Sequence, residues 1–153
     1  MGNKICSFFG HRNVENKEEL FENVLNFIEN LILNEQFSVF LFGRYGEFDE
    51  TCHRVVSKLK EKYPFIERIY CYSDEKQFLR EKRKGEILES AYERFLFLPL
   101  EYDYWYTRIY YRNCKMVDDS DFVVFYAEKR VQSGAYKILE YAIRKKKRLY
   151  NLY

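Results

Sequence analysis

Short runs of hydrophobic residues alternate with longer amphipathic stretches along most of the chain. Five runs are rich in aromatic and β-branched residues, as strands buried on both faces are: residues 5–9, 39–42, 69–72, 122–126 and 149–152. Helical patterns lie between most of them, and such alternation favours a parallel sheet covered by helices. The pattern therefore predicts a Rossmann-like α/β fold in three α/β/α layers, with a mainly parallel sheet of about five strands.

Capping signals place the helices between these strands. Asn16, with Glu19 three residues later, has the spacing of a capping box before a stretch of apolar pairs at helical spacing. Asp49 is expected to cap a second helix, and Ser133 a third. A further helix is expected over residues 105–118. These positions complete an alternating order of strands and helices.

Residues 73–104 break this alternation. The segment is charged as far as Lys84 and then aromatic around "ERFLFLPLEYDYWY". It is too long for a plain connection and too rich in apolar residues for disorder. We expect a variable insertion that packs as a lid or as a partner surface, within one domain that spans residues 1–153.

Composition and charge narrow the class of protein. The chain has 153 residues, of which 47% are hydrophobic and 33% charged, which is the size of one domain with a real core. Its net charge of +2 provides no overall basic field for nucleic acid. No run has the length of a membrane span, and the N-terminus makes a poor signal peptide. We therefore expect a soluble, cytoplasmic protein that does not associate with a membrane.

The cysteines and histidines lack the spacing of metal ligands. The four cysteines lie far apart and form no CxxC pair: Cys6, Cys52, Cys71 and Cys114. We expect buried thiols in a reducing compartment rather than disulfides or a zinc framework. With only His11 and His53 besides, the sequence predicts no metal site.

Glycines and cationic side chains gather where open parallel sheets bind ligands, beyond the carboxyl ends of the strands. "GHR" follows the first strand and "GRYGEFD" the second, while "SGA" opens a helix whose N–H groups can hold an anion. Arginines in these stretches supply planar forks for phosphate. The pattern predicts a phosphate-cradling pocket. Its candidate ligand-binding residues are Gly10, His11, Arg12, Gly43, Arg44, Tyr45, Gly46, Asp49, Arg112, Asn113, Ser133 and Gly134.

Other interpretations stay open for individual side chains. His11 could simply hydrogen-bond a neighbouring carbonyl, and Arg112 could form a structural ion pair with Glu101 or Asp121. The basic stretches "REKRK" and "RKKKR" are most simply solvated faces. The aromatic residues belong mostly to the core, although three tyrosines are placed where a base could stack: Tyr45, Tyr104 and Tyr126.

Several of these stretches occur together in one known family. The strand ending "FFGHR", the G-x-x-G-x-FD turn, "RN-x-x-M" followed by "D-x-SDFVVFY", the late "SGA" and the terminal "NL" resemble the small single-domain YpsA-like branch of the SLOG superfamily. They cover nearly the whole chain in order. The resemblance implies a Rossmann-like domain that binds or senses a nucleotide or nucleotide-derived ligand, ADP-ribose-like or a nucleoside phosphate, in a regulatory role.

The same superfamily includes the LOG nucleotide phosphoribohydrolases, which makes a nucleotide N-glycosidase the first alternative. Arg112 falls on the arginine of the LOG "ERK-x-x-M" helix and is the candidate catalytic residue. The glutamate that closes the LOG motif "PGG-x-GT-x-x-E" has no counterpart, because Ile138 stands at that spacing. A glycosidase would need Glu140 or Asp49 as its carboxylate. The incomplete machinery favours a binding protein over an enzyme.

A second alternative is single-stranded nucleic-acid binding like that of the DprA relatives. Only the basic runs and the aromatic residues support it. We therefore expect a small-molecule nucleotide ligand rather than a nucleic acid as the partner, with a homo-oligomer as a further option.

Overall fold

The structure is a computed structural model that describes residues 3–100, 104–129 and 133–153. In these residues the chain forms six strands, which are β1 Lys4–Gly10, β2 Phe37–Phe42, β3 Glu67–Tyr72, β4 Arg94–Phe97, β5 Phe122–Tyr126 and β6 Leu149–Asn151. It also forms five α-helices, which are α1 Lys17–Glu35, α2 Glu47–Lys62, α3 Glu75–Arg83, α4 Trp105–Asp118 and α5 Gly134–Arg144. A single 3-10 turn, Glu89–Ala91, precedes β4.

The six strands form one parallel sheet in the order β4-β3-β2-β1-β5-β6. The chain winds outward from β1 to β4 and then crosses to β5 on the other side of β1. The strand order therefore reverses between β1 and β5, and their carboxyl ends flank the crevice where such sheets bind ligands. This topology confirms the predicted Rossmann-like fold.

The sheet has one strand more than expected. β4 lies at the edge of the sheet, inside residues 73–104, and its Leu96 and Phe97 are exposed by 40% and 39%. An edge strand this short lacks the fully buried run that marks the other strands, which explains why the hydrophobic pattern did not resolve it. That residues 73–104 act as a lid or as a partner surface stays a prediction.

Two of the three capping predictions are confirmed. The Asn16 side chain accepts from the backbone N–H of Glu19 at 3.2 Å, which is the first bond of a capping box. The Glu19 carboxylate accepts from the side-chain amide of Asn16 at 3.0 Å, in place of the backbone N–H of Asn16. The Ser133 hydroxyl accepts from the backbone N–H of Tyr136 at 3.0 Å. The start of α5, and with it one wall of the crevice, is therefore held by its own sequence.

The third capping prediction is wrong. α2 begins at Glu47 with Gly46 at its N-cap position, so Asp49 lies within the first turn instead of before it. Gly46 has a φ of 92°, in the left-handed region that glycine adopts without strain. The carboxylate of Asp49 is thereby free to reach back to the turn that follows β2.

Hydrophobic side chains fill both faces of the sheet. α1 and α2 pack on one face around residues such as Phe8 and Phe40, and α4 and α5 pack on the other around Val123 and Met116. All four cysteines are free thiols buried in these layers. This agrees with the expected role of the cysteines as small core residues.

No described helix combines the length and the apolar character that crossing a lipid bilayer requires. Among the described residues, no group of three or more His, Cys, Asp or Glu side chains could hold a metal ion.

Candidate functional site

A cavity of about 590 Å³ opens beyond the carboxyl ends of β1 and β2, and α4 and the first turns of α5 form its other walls. This volume is ordinary for a small-molecule site. Most of the predicted ligand-binding residues line it: Gly10, His11, Arg12, Gly43, Tyr45, Asp49, Arg112, Asn113, Ser133 and Gly134. The fold thus gathers four separate stretches of sequence around one space.

Arg44 and Gly46 are not on the cavity wall. Nη1 of Arg44 pairs with the carboxylate of Glu81 on α3 at 2.9 Å, so the side chain points away from the cavity. At Gly46, a Cβ would lie 2.8 Å from the Cα of Arg12. Both residues shape the turn between β2 and α2, and neither faces the space where a ligand would lie.

Arg112 is a buried cation in the wall, with 7% of its surface exposed. Its Nη1 donates to the carbonyl of Gly43 at 3.1 Å, and its Nε and Nη2 donate to Oδ1 of Asn113 at 3.2 and 2.9 Å. Burial lowers the pKa of the guanidinium, which nevertheless stays protonated at ordinary pH. In the part of the chain that the structure describes, each hydrogen-bond acceptor of this guanidinium is therefore a neutral carbonyl oxygen.

Among residues 3–100, 104–129 and 133–153, no carboxylate lies within ion-pair distance of Arg112. Asp121, one of the two carboxylates suggested as a structural partner, does not pair with Arg112, because it accepts from the backbone N–H of Ile5 at 2.9 Å, at the opposite end of β1. The other suggested partner, Glu101, lies outside the described residues.

The glycines of the site have different physical roles. At Gly43 a Cβ would lie 2.5 Å from Nη2 of Arg112, so only glycine lets the guanidinium lie against the end of β2. At Gly10 a Cβ would lie 2.4 Å from the ring of Phe48, which makes this glycine a packing residue between β1 and α2. At Gly134 no atom lies within 4 Å of a Cβ, so it faces open space.

Asp49 is the acidic group of the cavity wall and is 5% exposed. Its two oxygens accept from the backbone N–H groups of Gly43 and Arg44, at 3.4 and 2.9 Å. Burial raises the pKa of this carboxyl to about 6, against the opposing effect of those hydrogen bonds and of the nearby charge of Arg112. Asp49 therefore fixes the turn whose carbonyl holds Arg112.

His11 is held by the backbone at the end of β5. Its Nε2 lies 2.7 Å from the backbone nitrogen of Glu128. A backbone N–H can only donate, so Nε2 is the acceptor and the ring carries its proton on Nδ1. The partner is an N–H group, whereas the sequence had suggested a carbonyl.

Arg12 and Tyr45 form a pair at the cavity mouth. The Arg12 guanidinium lies over the Tyr45 ring, 5.0 Å from its centroid, and also donates to the Tyr45 hydroxyl. Both side chains are exposed. The pair presents a cation and an aromatic face together at the entrance.

Of the three tyrosines predicted to stack on a base, Tyr45 lines the cavity and Tyr104 and Tyr126 do not. Tyr126 instead stacks on Phe48 at 5.8 Å between ring centroids. The aromatic wall comes from Tyr106 and Tyr110 of α4, which sequence reasoning missed. Their i, i+4 spacing, continued to position 113, was the available signal.

The start of α5 adds donors to the same wall. Ser133 Oγ accepts from Tyr136, and no described residue accepts from the backbone N–H groups of Gly134 and Ala135. Lys137 is exposed and lines the cavity. Sequence reasoning missed Lys137, although it lies four residues after Ser133 and hence on the same side of the helix.

The position at which the resemblance to the LOG enzymes would place a glutamate holds a core residue, Ile138. Ile138 lines the cavity and is 1% exposed. Glu140, two residues later, is exposed and lies outside the cavity wall. Asp49 is thus the acid of the wall among the described residues.

No protein-family model matches the sequence, and no curated protein matches it. Solved structures do match. The molybdenum cofactor carrier protein MCP of Chlamydomonas reinhardtii has a TM-score of 0.57 at 11% identity, over 97% of this chain and 75% of that one. A second structure of the C. reinhardtii carrier has a TM-score of 0.53 at 14% identity, with the same coverage.

DNA processing protein A of Helicobacter pylori, described for its single-stranded DNA binding mode, also matches, with a TM-score of 0.57 at 15% identity. The match covers 95% of this chain and 63% of that protein, so this chain spans less than two thirds of its length. At these identities the likeness concerns the fold alone. The chain therefore shares its Rossmann-like fold with a cofactor carrier and a DNA-processing protein.

Proposed function

We propose that this protein binds a nucleotide or nucleotide-derived anion in the cavity between β1, β2, α4 and α5, and that it acts as a cytoplasmic regulator of the YpsA-like kind. The ligand class is a nucleoside phosphate or an ADP-ribose-like pyrophosphate. Binding, and not turnover, is the proposed activity.

One observation carries the proposal, namely a buried arginine without a carboxylate partner in a cavity wall. Removing a cation from water is costly unless an anion compensates it. Within the described residues, Arg112 is held only by the neutral carbonyl oxygens of Gly43 and Asn113. A ligand phosphate in the cavity supplies the missing charge, with short charge-assisted hydrogen bonds.

Other groups around the cavity fit the same ligand. The N–H groups at the start of α5, together with Lys137, favour a second negatively charged group. Tyr106 and Tyr110 provide an aromatic wall, and the Arg12–Tyr45 pair provides another at the mouth. A cavity of about 590 Å³ has room for a nucleotide.

A ligand panel tests the proposal directly. Thermal shift with AMP, ADP and ADP-ribose, followed by calorimetry, is expected to show stabilisation of the wild type by at least one of them through mass action. Gly134→Leu is expected to abolish the shift and to leave the ligand-free melting temperature almost unchanged, because open space faces Gly134. A panel without any shift in the wild type would remove the support for the pocket.

A second candidate function, nucleotide N-glycosidase activity, is favoured by the raised pKa of Asp49, about 6, in the cavity wall. Against it, both Asp49 oxygens are engaged by backbone N–H groups. We expect little free base after incubation with AMP, as measured by chromatography. Base release that disappears in Arg112→Ala and in Asp49→Asn would establish the enzyme instead of the binder.

A further inference from the structure

The guanidinium of Arg112 has five N–H donors in one plane. Three of them have acceptors, two on Oδ1 of Asn113 and one on the carbonyl of Gly43. One N–H on each terminal nitrogen is left without an acceptor among the described residues. These two donors belong to a side chain that lines the cavity.

Asn113 places a neutral amide oxygen against the edge of the Arg112 guanidinium, where a carboxylate could form an ion pair. A carboxylate there would accept from Nε and Nη2 as a two-pronged ion pair, the preferred partner of arginine. This protein uses that arrangement elsewhere, where Glu93 accepts from Nε and Nη2 of Arg68 at 3.0 and 2.7 Å. Asparagine and aspartate have nearly the same shape. Asn113 therefore lacks only the negative charge that would turn its contact with Arg112 into an ion pair.

We propose that Asn113 is a positioning residue that orients Arg112 through a neutral acceptor and so keeps its positive charge available to the anionic part of the ligand. The inference rests on the binding function proposed above and adds a specificity rule to it. The cavity selects ligands by negative charge at Arg112, and the residue beside the arginine maintains this selectivity.

The rule limits the chemistry of the ligand. The two donors left on Arg112 fit a group with two anionic oxygens, such as a phosphate or a pyrophosphate. An acid at position 113 would compete with such a group for the same charge. Ligand affinity and protein stability are therefore expected to respond in opposite directions when position 113 becomes acidic.

Asn113→Asp tests this in the full chain, with ADP-ribose as the probe. We expect its dissociation constant, measured by calorimetry, to rise by about tenfold to a hundredfold. The ligand-free melting temperature is expected to stay level or to rise, because the substitution completes a buried ion pair with Arg112. Asn113→Ala should lower both affinity and melting temperature, because Arg112 loses its support.

A matched control separates this effect from general repulsion. Thr107→Asp places the same charge on another residue of the α4 wall and is expected to weaken ADP-ribose binding less than Asn113→Asp does. Equal losses in both variants would overturn the inference, and so would wild-type affinity in Asn113→Asp. If Asn113→Asp does not fold, wild-type affinity in Asn113→Ala overturns it. Failure of the wild type to bind any nucleotide would instead remove the proposed function itself.

Discussion

Two of the described arginines, Arg68 and Arg112, are largely buried, and their hydrogen-bond partners differ in charge. The side chain of Arg68, at the start of β3, is 11% exposed and forms an ion pair with Glu93 at 2.7 Å, while its Nη1 donates to the Ser57 hydroxyl at 3.0 Å. Arg112, at the other end of the sheet, donates within the described residues to neutral oxygens only. The carboxylate of Glu93 balances the first charge, whereas under the proposed function an anionic ligand would balance the second.

The carboxylic acids near these two arginines, Glu93 and Asp49, have pKa values shifted in opposite directions. Burial raises the pKa of Glu93, but the hydrogen bonds and charge of Arg68 outweigh burial, and the pKa is lowered overall. Burial raises the pKa of Asp49 to about 6, since Arg112 only partly offsets it. A neighbouring arginine therefore does not by itself keep a buried acid ionised, and the hydrogen bonds that the arginine makes to the acid matter as well.

The largest expected effect is on ligand binding. Arg112→Lys replaces the planar fork by a single ammonium, and we expect the affinity for ADP-ribose to fall about a hundredfold. The ligand-free melting temperature should change little, and both are measured on one preparation. An unchanged dissociation constant with a lower melting temperature would make Arg112 a structural residue like Arg68.

Replacing Arg68, the arginine at the other end of the sheet, should change the stability of the protein and leave ligand binding intact. Arg68→Ala leaves the Glu93 carboxylate, which is a quarter exposed, without its partner, and we expect the free energy of unfolding to fall by about 2 kcal/mol. Urea titration measures this loss. ADP-ribose affinity should stay within about twofold, because Arg68 is not on the cavity wall. A loss of affinity comparable to that of Arg112→Lys would contradict the proposed division between the two arginines.

The raised pKa of Asp49 predicts that the free energy of unfolding depends on pH. Its pKa is raised in the folded state from 3.8 to about 6, so its contribution to stability is full below about pH 4 and is lost as pH rises through about 6. The shift corresponds to at most roughly 3 kcal/mol. Glu93 has the opposite sign, since its lowered pKa contributes stability that is lost in acid.

Urea titrations from pH 4 to pH 7 on the wild type and on Asp49→Asn measure this dependence. The difference in the free energy of unfolding between the two proteins is expected to change across that range, to the disadvantage of the wild type at higher pH. Glu140→Gln, at an exposed position outside the cavity wall, is the control. A constant difference between wild type and Asp49→Asn would show that Asp49 titrates normally.

The smallest expected effect concerns the glycine beside Arg112. Gly43→Ala places a methyl group 2.5 Å from Nη2 and must displace the guanidinium, so we expect stability to fall by about 1 kcal/mol and ADP-ribose affinity by about fivefold. Gly134→Ala faces open space and should retain both. Equal behaviour of the two variants in thermal shift would argue against the placement of Arg112.

Local features of the sequence were sufficient for much of the fold. The buried runs follow from the spacing of apolar residues, and the N-caps at Asn16 and Ser133 follow from the side chain of one residue each. β4 escaped because an edge strand of four residues is neither fully buried nor regularly alternating. Asp49 was misplaced as a cap because the positive φ of Gly46 starts α2 earlier.

Within the site, the order of strands and loops along the chain was enough to predict which residue types would meet beyond the strand ends, since parallel strands bring their carboxyl ends to one edge. Tertiary packing was needed to show that Arg12 and Arg112 line the cavity and that Arg44 does not. Arg44 and Arg112 both lie in candidate stretches, yet α3 offers Arg44 the carboxylate of Glu81, while α4 offers Arg112 the neutral amide of Asn113. Asn113 is next to Arg112 in sequence, but Glu81 and Gly43 are distant from the arginines that they hold. A local pattern therefore does not specify which of the two charges has a carboxylate partner.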